Sequence, residues 1–217
     1  MSVFTTNVFE RSGSDEMSRR AFYLVLCGLT AWGLFLASAV APMFYDWKPG
    51  IWTMLGVCLG IPLIGIFMTA GGAVLSFIGY HLIIVPFGAM LGPVLAHYDI
   101  VHPGVVHQAL FLTSAVVVVM GASGIMFPNF YRGLGGALFG ALCALLAVSV
   151  LSLFIPALAH MGVIHWIGAG IFSLYIGYDM HRASEIPATV DNAIDVAVAQ
   201  FLNIFNLFMQ ILSISDD

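Results

Sequence analysis

"AIDVAVAQFLNIFNLFMQILS" (Ala193–Ser213) is long enough to cross a lipid bilayer, yet it holds Asp195, Gln200, Asn203, Asn206 and Gln210. At 100° per residue, Asn192, Asp195, Ala199, Asn203, Asn206, Gln210 and Ser213 fall within about 80° of one another on a helical wheel. Val198, Phe201, Leu202, Phe205 and Phe208 lie elsewhere on the circumference. A polar side chain at membrane depth is costly, so a narrow polar face points into a helix bundle or a water-filled cavity. The segment therefore predicts a central helix, around which the rest of the chain is arranged.

Composition agrees with a bundle in lipid. The 217 residues are 61% hydrophobic and 8% charged, against about a quarter charged in a soluble domain. Six further apolar runs, broken by Pro, Gly or charge, precede the polar-striped one: 21–41, 51–70, 73–95, 105–127, 134–157 and 161–180. The expected architecture is an all-α integral membrane protein with seven transmembrane helices, the seventh central. Residues 1–20 form a cytoplasmic N-terminal segment, 21–213 the seven-helix domain, and 214–217 a short acidic tail. The runs are long and do not alternate, which argues against a β-barrel. "AGG" between the second and third runs predicts a tight hairpin.

With seven spans, Arg11, Arg19, Arg20, Arg132 and Arg182 share one side and Lys48 lies on the other, placing the N-terminus in the cytoplasm. Small residues at four-residue spacing, Gly56 and Gly60, Gly88 and Gly92, Gly136 and Gly140 with Ala144, and Ala169 and Ser173 with Gly177, predict close helix packing. Cys27, Cys58 and Cys143 lie singly in apolar runs and form no ligand or disulfide pattern. The net charge of −5 and the absence of a basic cluster exclude a nucleic-acid partner.

Asp179, in "FSLYIGYDMHRASE" (Phe172–Glu185), closes the sixth run on the side where the seventh begins. It reads either as a surface carboxylate paired with Arg182 one turn on, or as a group facing the polar stripe. Asp195 reads either as a carboxylate favoured by a helix N-terminus or as a functional acid. Asn206 and Gln210 read as interhelical glue. His81, inside the third run, is either a hydrogen-bonded core histidine or a proton-responsive one. His97, His102, His107, His160 and His165 fall on or near the outer side without HxxxH-type spacing, so an intramembrane metallohydrolase is disfavoured and no enzyme activity or cofactor is expected. Lys48 lies in a loop, which excludes a retinal-type Schiff base within the bundle.

"FGAMLGPVLAHY" (87–98), "FSLYIGYDMHR" (172–182) and "FLNIFNLFMQILSI" (201–214) together resemble the Bax inhibitor-1, or transmembrane Bax inhibitor motif, family in its bacterial form. The resemblance implies seven helices with the last enclosed by six. It also implies a pH-sensitive calcium leak in which two aspartates, on the sixth and seventh helices, share a proton. Asp179 matches the first. Asn203 stands where relatives often carry the second, and the arginine some relatives place after the second helix is missing from "FMTAGGAV". An amide cannot ionise, so Asp179 and Asn203 can make a hydrogen bond but not a pair of acids.

The expected function is a passive, pH-sensitive cation leak, with Ca²⁺ as the transported ion. Asp179 and Asn203 supply oxygen ligands, with Asp195 and His81 on the pathway and Arg182, Asn206 and Gln210 in helix pairing. The alternative is a membrane-embedded regulator that binds a membrane protease or stress-response protein. A short polar N-terminus suits a bacterial inner membrane, with the endoplasmic reticulum or Golgi as the alternative.

Overall fold

The computed structural model describes residues 16–152, 154–155 and 161–215. His160, the N-terminal segment up to residue 15 and the last two residues of the acidic tail lie outside the described residues. The described residues are helical, without a strand. In chain order the long helices are α1 (Arg19–Val40), α2 (Ile51–Thr69), α3 (Ala73–Val101), α4 (Val105–Met126), α5 (Gly135–Ser152), α6 (Val163–Glu185) and α7 (Val190–Ile214). Six of them are long and apolar enough to cross a membrane: α1 with the 3₁₀ turn Ala41–Phe44 that extends it, α2, α3, α4, α5 and α7. The chain is therefore a multi-pass integral membrane protein. The remaining helix, α6, is 23 residues long but carries His165, Asp179, His181 and Arg182.

Two compact units divide the chain. One takes the chain up to Val101 with Glu185–Phe201, and the other takes His102–Ser184 with the chain from Leu202 onward. In the first unit, Ser18 caps α1 by accepting from the Ala21 amide at 3.2 Å. The Met17 amide donates to the Ala188 carbonyl at 2.8 Å, which ties the start of α1 to the approach to α7.

The hairpin expected between α2 and α3 is present and tight. A Cβ added at Gly65 would lie 2.7 Å from the Gly79 carbonyl oxygen, so the two backbones meet directly. Ser76 then donates across the turn to the Thr69 carbonyl at 3.0 Å. Gly88 serves the same purpose between α3 and α1, where an added Cβ would come within 2.9 Å of the Ala37 backbone.

Other small-residue pairs do not behave as the spacing suggested. Among the described residues, nothing lies within 4 Å of an added Cβ at Gly56, Gly60, Gly136 or Gly140. Gly56–Gly60 is instead a π-helical turn within α2. Pro62 has no N–H to give the Cys58 carbonyl, and its ring crowds that carbonyl, so the helix widens just before it.

Helix ends also differ from the apolar runs. α3 continues six residues past Leu95 to Val101. At 1.5 Å per residue its length is about 43 Å, longer than the ~30 Å hydrocarbon core, so its end at His97, Tyr98 and Asp99 belongs to the polar interface. Gly104, at φ 99°, then turns the chain into α4. α6 runs past Met180 to Glu185, because the first helix breaker after Asp179 is Pro187. α7 starts at Val190, with Thr189 Oγ1 accepting from the Asn192 amide at 3.2 Å. From residue 191 to 215 no position of this last helix is exposed, as the polar stripe predicted for a central element.

Candidate functional site

Asp179 lies six residues before the end of α6 rather than at its foot. With Phe172, Ile176 and Ala183 it forms one buried face at i, i+4, i+7 and i+11 spacing. The carboxylate is 5% exposed, which rules out the surface reading. Asn203 Nδ2 donates to Asp179 Oδ2 at 2.7 Å, so the one acid on this face is matched by one amide of α7. Arg182, one turn further along α6, acts on Asp179 as an opposite charge. Both members of the hydrogen bond belong to the second unit.

The position of Asp179 is fixed two residues earlier. The Gly177 carbonyl packs against Gly124 of α4, and the Tyr131 ring and hydroxyl take the place where a side chain at Gly177 would go. Tyr131, on the single helical turn Pro128–Tyr131, is 2% exposed, and its hydroxyl is 2.6 Å from Ser123 Oγ. The aromatic ring, held from α4, thus acts as a stop that sets how closely α6 approaches.

Other expected site residues separate from this pair. Asp195 falls in the first unit, eight residues and so about 12 Å up α7 from Asn203. His81 also belongs to the first unit. Its Nδ1 lies 2.8 Å from the Phe77 carbonyl, so it must carry the proton, and its Nε2 accepts from Trp32 Nε1 at 3.1 Å. The Nε2 bond joins α3 to α1, while the Nδ1 bond stays within α3 and orients the ring. Asn206 donates to the Leu202 carbonyl of its own helix at 2.7 Å and is not interhelical glue. Gln210 is: its Oε1 accepts from His165 Nδ1 at 2.8 Å and so joins α7 to α6.

His181 was missed by the sequence reading. It is 2% exposed, and at two residues from Asp179 it lies on the opposite side of α6. Extending the helix to the residue before Ile186-Pro187 would have revealed it as a buried group.

Comparison with known proteins agrees with the architecture. The family described as inhibitor of apoptosis-promoting Bax1 (Bax1-I) matches residues 16–216. An uncharacterized protein of Helicobacter pylori is 31% identical over 186 residues, 84% of this chain and 70% of that one. An uncharacterized membrane protein of Vibrio cholerae is 28% identical over 225 residues, 98% of this chain and 95% of its own. A Campylobacter jejuni protein is 26% identical over 217 residues, covering 95% and 91% of the two chains. With a buried acid on one helix, its partner on the last, and a match over nearly the whole length, the chain belongs to the Bax1-I family.

Proposed function

We propose that the protein is a passive cation leak, carrying Ca²⁺, in which Asp179 is the acidic group of the pathway and Asn203 its partner on α7. The observation that carries this reading is the 2.7 Å hydrogen bond between a buried carboxylate and an amide of the polar-striped helix. A carboxylate enclosed by apolar helices is expensive and contributes little to packing, so function is the better account of its presence. Ionised, it attracts a cation and, with the Asn203 carbonyl oxygen, offers hard oxygen ligands. Protonated, it becomes a hydrogen-bond donor and changes what it can make with Asn203, which biases the packing of α6 on α7.

In the same reading α6 is a seventh span, the N-terminus is cytoplasmic, and the membrane is the bacterial inner membrane. The test is Ca²⁺ entry into proteoliposomes holding the pure protein. Asp179→Asn should lower the flux about tenfold, the loss of one nearby charge being worth at least ~1.4 kcal/mol at low dielectric, and should flatten its pH dependence. Unchanged flux at every pH removes Asp179 from the mechanism.

A second reading draws on the faces of α2 and α5 around Gly56, Gly60, Gly136 and Gly140, which meet nothing within 4 Å among the described residues. Small-residue faces of this kind suit a further membrane helix. A regulator that docks a membrane protease or stress-response protein there would show no flux when pure, and Gly140→Leu would abolish its association with that partner.

A further inference from the structure

The turn between α6 and α7 is enclosed, although a connecting segment ordinarily lies in solvent. Ile186 and Ala188 are each 3% exposed and Thr189 is 9% exposed. Backbone groups in such a place need partners. The Pro187 carbonyl accepts from Asn192 Nδ2 at 2.8 Å and from the Thr189 amide at 3.0 Å, and the Thr189 carbonyl accepts from the Ala193 amide at 3.1 Å. Those partners are local. The Ala188 carbonyl is met from the other end of the chain, by the Met17 amide at 2.8 Å.

The segment that supplies this donor is anchored separately. Glu16–Ser18 is not helical, and Ser18 has extended backbone, φ −62° and ψ 147°. Ser18 Oγ accepts from the Ala21 amide, and its carbonyl accepts from the Phe22 amide at 2.9 Å. Phe22 and Leu26 then bury the first turns of α1. Glu16–Ser18 is thus a strap fixed by α1 at one end and bonded to the turn through Met17, and strap and turn belong to one unit.

Asp179 is on α6 and Asn203 on α7, so this turn is the covalent link between the two helices that carry the pair. α7 runs unbroken from Val190 to Ile214, which puts Asn203 about 20 Å from its start. A continuous helix shifts as a body, so freedom at its first turn is felt at Asn203. With the strap in place Asp179 is buried, and a hydrated cation does not reach its carboxylate. The strapped state is a closed one.

We propose that Glu16–Ser18 is an autoinhibitory strap: through the Met17 amide it holds the α6–α7 turn and the start of α7, and its release lets the Asp179 level open. The proposal rests on the leak reading above, to which it adds a regulatory segment outside the pathway. Met17 is a positioning residue that acts through its backbone N–H.

Met17→Pro removes that N–H at a position outside any helix, whereas Met17→Leu keeps the N–H and a side chain of similar size. Both are compared with the wild type and Asp179→Asn by hydrogen exchange and by Ca²⁺ entry into proteoliposomes. Loss of one uncharged hydrogen bond changes an equilibrium about three- to tenfold. In Met17→Pro the amides of Thr189, Asn192 and Ala193 should exchange faster by roughly that factor. Exchange around Ile83 in α3 should stay unchanged, which shows the fold intact. Ca²⁺ entry should rise by up to the same factor, and Met17→Leu should match the wild type in both assays.

Unchanged exchange in Met17→Pro overturns the strap, and an equal effect in Met17→Leu overturns the role of the N–H. Faster exchange without a rise in flux, in a protein whose flux falls with Asp179→Asn, overturns autoinhibition and leaves a structural contact. Flux that rises in Met17→Pro but ignores Asp179→Asn supports the strap and removes Asp179 from the path. Absence of flux in every protein overturns the leak reading and the autoinhibition together.

Discussion

Replacing Asn203 by alanine removes the donor that holds a carboxylate only 5% exposed. A hydrogen bond to a charged group contributes about 1.5–3 kcal/mol, and the missing amide atoms leave a small void worth roughly 1 kcal/mol more. The expected loss is about 3 kcal/mol, or roughly 6–12 °C in melting temperature for a chain of this size. In an Asp179→Ala background no carboxylate is left to orphan. The same Asn203→Ala change should then cost only about 1 kcal/mol, so the cycle yields a coupling of about 2 kcal/mol. Thermal unfolding of the detergent-solubilised wild type, both single variants and the double variant measures it. Effects that add to within about 0.5 kcal/mol would refute the claim that the two side chains act as a unit.

Two further predictions address how the pair is positioned and what His81 does. Gly177→Ala should destabilise the protein by about 1–3 kcal/mol, because its methyl meets the Tyr131 hydroxyl, Cζ and Cε1; Tyr131→Phe, which keeps both ring carbons in the methyl's way, should not recover that loss, measured in the same unfolding assay. His81→Phe should remove the acceptor from Trp32 Nε1 and shift the Trp32 emission, read against a Trp32→Phe control, while leaving Ca²⁺ flux unchanged; a change in flux with no change in emission would place His81 on the pathway after all.

The helices were legible in the sequence because crossing a bilayer demands about 20 apolar residues, and nothing else in a chain produces such runs. Their ends were not, because a helix stops at a cap or a breaker and not where apolarity fades. Reading Met180 as the end of α6 made Asp179 a foot at the surface and left His181 out of sight. Pro187 marks the true limit. That Asp179 can face the stripe on α7 was legible from its place at the end of the sixth run, whereas Asn203 as its partner came from the family resemblance.

The Gln210–His165 bond was not legible from spacing. It depends on the register of α6 against α7, which sets Gly168 beneath the amide. Gly56 and Gly60 misled for a related reason: four-residue spacing describes a groove only in a regular helix, and Pro62 makes this stretch a π turn. Asn206 looked like glue because type and position suggested it, yet a carbonyl four residues back was nearer.

The enclosure of α7 has a consequence for synthesis. It is the last of these helices to leave the ribosome, and its first half lies in one unit and its second half in the other. Until it is inserted, neither unit has its full interior, and the earlier helices must wait in the bilayer with lipid or the insertion machinery against surfaces meant for Phe201, Leu207 and Leu212. Quality control that removes chains stalled before residue 190 would therefore act on the molecule at its most vulnerable, when every other span is made and none is finished.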